Sequence, residues 1–172
     1  VTKILNKKKI DYLFVSAGEN VCWLMNIRGK DLPNSPIANC NIILTKDRKI
    51  YFFSKLNKIS GIKKKFINQK IFFYEENKLF EILRSIKPGS FCIDGKTCSV
   101  FNEEIIKSSF TIKERNDFIY YFKSIKNKTE IKNMLKAHIE DGVALTKFLY
   151  WIKNLKKVNL NEQQVEKKIR KL

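Results

Sequence analysis

Histidine occurs once in this 172-residue sequence, at His138, proline three times and glycine six times. A Ser-His-Asp or Cys-His apparatus would have to use that single imidazole. So few prolines and glycines exclude collagen-like and low-complexity chains. Arginine is scarce too: Arg28, Arg48, Arg84, Arg115 and Arg170 are the five among 35 basic residues, against 17 acidic ones, for a net charge of +18. Such a surface invites a nucleic-acid reading through counterion release. Proteins that clamp phosphate geometry favour the bidentate guanidinium, however, and no strand here interleaves basic with aromatic residues. Ile, Asn, Phe and Lys are abundant together, as a coding sequence drifting toward A and T would make them. No specific nucleic-acid partner is therefore expected, and a basic nucleic-acid-binding module stays as an alternative.

Cys22, Cys40, Cys92 and Cys98 contain no C-x-x-C pair, so structural zinc is not expected, and four reduced thiols point to a cytoplasmic protein. No apolar run approaches the roughly 18 residues of a membrane span, and the basic start lacks the features of a signal peptide, so no membrane partner is expected. There is no G-x-G-x-x-G and no phosphate loop. Asp11, Asp31, Asp47, Asp94, Asp117 and Asp141 read as single carboxylates in turns or at strand ends, which gives no metal cluster. His138 matches the apolar stripe of a helix, where a packed or hydrogen-bonded histidine is the plain reading. No catalytic residue and no metal ligand emerges.

What is present is a 44% apolar, 12% aromatic chain, enough for one domain with a real core and part of a second. From Ile10 short apolar runs alternate with helical patterns, the signature of an α/β fold. Strands are expected at 12–15, 41–45, 49–54, 70–74, 91–94 and 110–113. Helices are expected at 19–26, 77–86 and 99–107, and a weaker one at 58–66. The tight Lys46-Asp47-Arg48 turn makes a hairpin. Asn127 with Glu130 opens a long helix over 128–153, and Asn161 with Gln164 opens another that is expected to run on to Leu172. The chain begins at Val1 in what reads as the end of an amphipathic helix and closes inside an element, so an excised piece is expected.

One stretch combines polar hydrogen-bonding groups with rigidity. The segment from Arg28 to Pro36 holds one Gly and two Pro and must be a loop. Asn26, Arg28 and Asp31 within and before it are the candidate site residues, either substrate-side or loop-structuring, with an Arg28 to Asp31 pair as the structuring contact.

The runs Tyr12 to Ala17 and Trp23 to Pro36 closely resemble the second domain of three-domain Xaa-Pro aminopeptidases, the aminopeptidase P branch of the creatinase/prolidase-like family. The runs Ile125 to Ile131 and Met134 to Leu145 resemble the segment that joins that domain to the catalytic domain. The similarity spans nearly the whole chain, with the strings in family order. Lys128 stands where the family usually has Pro, at a first helical position that Pro favours without being required. Asn34 and Ser35 replace the usual Tyr-Asn.

The resemblance implies a creatinase N-terminal-like α/β domain, a mixed sheet flanked by helices, over 1–125. The linker and first helices of a truncated pita-bread catalytic domain would follow over 126–172. It implies a parent hydrolase that removes an N-terminal residue preceding proline, with two divalent metals, expected to be manganese, held by residues that have no counterpart here. This piece would then be inactive and hold no cofactor. Its implied partners are peptides with proline in second position and other domains of the same chain; a homodimer is expected of this piece from the uncovered stripe of its long helix, which would otherwise fold back on the sheet domain. The apolar stripe Ile131, Leu135, Leu145, Phe148, Leu149 and Ile152 would be covered by the catalytic domain. A non-catalytic interaction domain is the other alternative.

Overall fold

The computed structural model describes residues 1–155 and 160–172. It divides into two compact units, Val1–Ser124 and Ile125–Leu172. The first contains α1 (Thr2–Lys7), β1 (Tyr12–Val15), α2 (Gly18–Met25), β2 (Asn41–Thr45), β3 (Ile50–Phe53), α3 (Leu56–Lys63), β4 (Ile71–Tyr74), α4 (Leu79–Ser85), β5 (Ser90–Ile93), α5 (Val100–Lys107), β6 (Thr111–Glu114) and α6 (Phe118–Ser124). The sheet order is β4-β3-β2-β1-β5-β6. β2 pairs antiparallel with β1 and β3, while the pairs β1/β5, β5/β6 and β3/β4 are parallel. β4 and β6 end the sheet.

Both faces are buried, because every second residue of a strand points the other way. Leu13, Val15, Ile42, Leu44, Phe52 and Cys92 share one core with Leu5 of α1, Val21 and Cys22 of α2, Ile59 of α3 and Ile119 of α6. Phe14, Ile43, Phe53, Phe91 and Ile93 share the other with Leu79, Ile82 and Leu83 of α4 and Ile106 of α5. The strands therefore read as nearly continuous apolar runs, as sheets covered on both sides do. On the second face Phe91 stacks on Tyr12 at 4.7 Å and meets Phe110 edge-on at 4.8 Å between ring centroids.

The β2–β3 hairpin turns through Lys46, Asp47 and Arg48. Arg48 takes φ 66°, the left-handed residue that three-residue hairpin loops require. Thr45 closes the turn, its carbonyl accepting from Arg48 N and its hydroxyl from Lys49 N.

The second unit consists of α7 (Lys128–Lys153) and α8 (Glu162–Ile169). Each opens with a complete capping box: Asn127 accepts from Glu130 N while the Glu130 carboxylate accepts from Asn127 N, and Asn161 and Gln164 repeat the exchange. Lys128 at the first helical position leaves the α7 cap intact. The expectation that the last helix runs on to Leu172 is corrected. It ends at Ile169, where Lys171 N and Leu172 N bond three residues back, to the carbonyls of Lys168 and Ile169, the tighter pattern in which α-helices close. No residue of α7 or α8 is buried.

Candidate functional site

The candidate loop starts where α2 stops. Asn26 adopts φ 50°, ψ 47°, its N–H donates to Trp23 O at 3.2 Å, and Ile27 N donates to Cys22 O at 3.0 Å. This is a Schellman ending with asparagine in the left-handed position, and Ile27 and Cys22 are buried in the same core. The first candidate residue is thus spent on stopping the helix. Burying Ile27 turns the chain outward, and Arg28 leaves the core exposed.

The loop then folds back on itself. Gly29 N donates to Pro36 O at 3.2 Å and Asp31 N to Ile37 O at 3.1 Å, while Leu32 and Ser35 form an isolated bridge at the tip. A Cβ on Gly29 would lie 2.5 Å from the Ala38 Cα, so only glycine fits that crossing. A Cβ on Gly18, at the start of α2, would lie 2.7 Å from Ala38 O. Two glycines thus make room for the same residue on the return limb.

The expected Arg28–Asp31 pair does not form. Arg28 Nη1 donates to the carbonyl of its own neighbour Ile27 at 2.8 Å. Asp31 instead accepts from Lys58 Nζ of α3 at 2.6 Å and from Asn39 N at 2.8 Å. Those two donors hold the Asp31 carboxyl below its ordinary pKa. The physical reason is reach: folding back delivers Asp31 to the return limb and α3, leaving Arg28 on the outer limb. Beside Asn39, a cavity of about 160 Å³ is lined by Ser16, Gly18, Asn39, Cys40, Asn41, Phe53 and Glu76. A larger one of about 410 Å³ lies at the opposite end of β1, lined by Asp11, Tyr12, Lys46, Lys49, Tyr51 and Lys87 among others.

The reading of Asp94 and Asp117 as single carboxylates is also corrected. They meet at the carboxyl ends of β5 and β6, both buried. Asp94 accepts from Asp117 N at 2.8 Å and from Lys96 N at 3.0 Å. Asp117 accepts from Ile119 N at 2.9 Å and from Asn20 Nδ2 at 2.8 Å. Asn20 Oδ1 in turn accepts from Lys123 Nζ at 2.6 Å. Burial pushes the Asp117 carboxyl up, with the Ile119 N–H and Asn20 opposing it. The chain of bonds pins α6 to α2 and the sheet. The sequence carries one local sign of it, Asn116-Asp117 placed as a helix cap before the apolar run Phe118 to Phe122.

His138 is exposed on α7 with Nδ1 3.0 Å from Met134 O, an ordinary bond back to the preceding turn. Among the described residues no three His, Cys, Asp or Glu side chains come together as a metal site, and no helix is long and apolar enough to cross a membrane.

A two-sided mixed sheet of this order, flanked by helices and carrying a polar folded-back loop, defines a mixed α/β domain. Residues 1–130 match the family model of the Creatinase/Prolidase N-terminal domain, and the chain belongs to that family. It is 32% identical over 149 residues to Xaa-Pro aminopeptidase 1 of Dictyostelium discoideum, covering 86% of this chain and 23% of that protein. It is 29% identical over 187 residues to the probable Xaa-Pro aminopeptidase P of Paracoccidioides brasiliensis, covering 99% of this chain and 30% of that protein. The chain thus spans less than a third of the length of these curated relatives. Among solved structures, X-prolyl aminopeptidase from Caenorhabditis elegans, described as a cytosolic enzyme with a di-nuclear active site, superposes with a TM-score of 0.82. That match has 23% identity and covers 98% of this chain and 29% of that one.

Proposed function

We propose that this chain is the non-catalytic domain of an Xaa-Pro aminopeptidase, residues 1–125, followed over 126–172 by the linker and first helices of a pita-bread catalytic domain. The observation that carries the reading is the family match over residues 1–130 together with relatives named Xaa-Pro aminopeptidases over nearly the whole chain. The parent is a cytoplasmic hydrolase acting on peptides with proline in second position.

Two divalent metals, manganese in this reading, would supply a bound water of lowered pKa and a polarised scissile carbonyl. The residues present do not fit that pair. Asp94 and Asp117 spend their oxygens on backbone N–H groups and Asn20, and Asp31 spends its own on Lys58 and Asn39. No step through the metals is assigned to this chain. Its own contribution is the lobe from Asn26 to Asp31. Asn26 stops α2 and Asp31 clamps the return limb. Arg28, which among the described residues bonds a neighbouring carbonyl through one nitrogen, offers its other guanidinium donors to a peptide carbonyl or carboxylate.

Two measurements test this. With added manganese, the 172-residue chain releases no N-terminal residue from an Xaa-Pro peptide. Turnover above the metal blank overturns the assignment of this segment as non-catalytic. In the full-length enzyme, Arg28→Ala lowers kcat/KM for the same peptide, and an unchanged value overturns the substrate-side role of the lobe.

A further inference from the structure

Two of the four thiols meet at one residue of the loop's return limb. Ala38 N donates to Cys22 Sγ at 3.3 Å, and Cys40 Sγ donates to Ala38 O at 3.4 Å. Cys22 lies on α2 and Cys40 just before β2, both buried in the same core. The Cys22 thiol is near enough to count among the groups that act on Cys40. Cys92 sits on β5 with β1 between it and β2, and Cys98 packs against the core on the other face of the sheet. The chain between Cys22 and Cys40 is the end of α2 and the whole candidate lobe.

We propose that Cys22 and Cys40 form a peroxide-oxidised pair whose disulfide staples this lobe between α2 and β2. Cys22 Sγ, which already accepts an N–H, attacks one peroxide oxygen as its thiolate. The O–O bond breaks and the departing hydroxide takes up a proton as water, leaving a sulfenic acid. The Cys40 sulfur then attacks the Cys22 sulfur, the S–O bond breaks, and hydroxide leaves with the Cys40 proton as a second water. Two thiols and one peroxide become one disulfide and two waters. The sulfurs lose the two electrons that the peroxide oxygens gain.

Both thiols are buried away from solvent peroxide, and burial also pushes the Cys40 thiol up to about 12, so oxidation waits for the lobe to open. Opening is local. The outer limb is mostly exposed and is held by a few backbone bonds and the Asp31–Lys58 ion pair. In this proposal, loosening of that limb is what admits peroxide to the thiols while the sheet stays folded. The inference does not depend on what the lobe contacts in a longer enzyme.

The test is exposure of the 172-residue chain to hydrogen peroxide, alkylation of the remaining thiols in denaturant, and peptide mapping. The expected result is two thiols left of the initial four, with Cys22 and Cys40 joined within one chain. Amide exchange between residues 27 and 39 should slow on the order of tenfold after oxidation. Asp31→Asn should speed formation of the link severalfold. Consumption of Cys92 or Cys98 as fast as the pair, or persistence of both thiols under conditions that oxidise the urea-unfolded chain, overturns the proposal. Cys22→Ala and Cys40→Ala should each abolish the link, and if either fails to fold, the wild-type peptide map still decides.

Discussion

The sheet unit and the α7–α8 unit use similar apolar residues for opposite ends. In the first, Phe14, Phe52, Phe53 and Phe91 are all within 1% of complete burial. In the second, Ile131, Leu135, Ile139, Leu145 and Leu149 stand exposed along α7, and Ile139 is 68% exposed. Local signals are equally good in both, since α7 has a full capping box and the sheet unit has a well-formed hairpin. What differs is what the apolar side chains meet. Capping decides where a helix begins, whereas burial decides how much holding it together is worth.

The comparison breaks most sharply on core truncation. Phe91→Ala should cost about 3–5 kcal/mol, because it removes a fully buried ring that stacks on Tyr12 and meets Phe110 edge-on. Ile139→Ala should stay within about 0.5 kcal/mol. Urea denaturation of both variants is the check, and equal midpoint shifts would mean that α7 is covered in solution.

Next in size is the buried polar chain that pins α6. Asp117→Ala should cost about 2–3 kcal/mol, since it removes a helix cap and orphans the Asn20 amide. Its pH dependence has a defined sign. The folded-state pKa of Asp117 is raised, so the penalty on its charged form is complete above that pKa and is relieved as pH falls through it toward the unfolded value. Asp11 works the other way. Lys46 and Ser90 hold its pKa down, so its contribution is complete above the ordinary carboxylate range and lost as pH falls below it. Denaturation at several pH values should therefore show Asp117→Asn removing a stabilising response to acid and Asp11→Asn removing a destabilising one.

Smaller still is Asn127→Ala, which should weaken the start of α7 by about 1 kcal/mol. Faster amide exchange at Glu130 and Ile131, with the sheet unit unchanged, is the expected reading. Smallest is Arg28→Ala, within about 0.5 kcal/mol for the folded chain, because the side chain is exposed and its bond reaches only the carbonyl of its own neighbour, Ile27. A larger shift in the urea midpoint would give the lobe a structural share in holding the sheet unit together.

The sequence announced features whose partners lie within a few residues. Asn127 with Glu130, Asn161 with Gln164, and the Lys46 to Arg48 turn are all legible because cap and turn geometry close over short spans. The strands were legible from apolar runs, and burial on both faces explains why those runs hardly alternate. Long-range pairs were not legible. Asp31 finds Lys58 on another element, and Asp94 meets Asp117 only because β5 and β6 run parallel side by side. Composition and periodicity do not encode that adjacency. The Arg28–Asp31 expectation failed for the same reason: nearness in sequence stood in for a contact that the folded-back limb redirected. The meeting of Cys22 and Cys40 at Ala38 is of the same kind, since it depends on the whole loop between them folding back.

The two ends of the sheet carry different consequences for handling the protein. β6 presents Lys113 and Glu114, charges that discourage another strand from adding to it. β4, Ile71-Phe72-Phe73-Tyr74, is apolar and aromatic throughout; Ile71, Phe73 and Tyr74 pack against the cores, Phe72 is exposed, and Lys70 and Glu75 flank the strand in sequence. An edge strand of that composition is a template for self-association, which a net charge of +18 opposes. Solubility therefore hangs on ionic strength. As added salt shortens the screening length to about 8 Å near 0.15 M, the repulsion fades while the β4 edge keeps its unpaired backbone, and concentrated stocks last longest in dilute buffer.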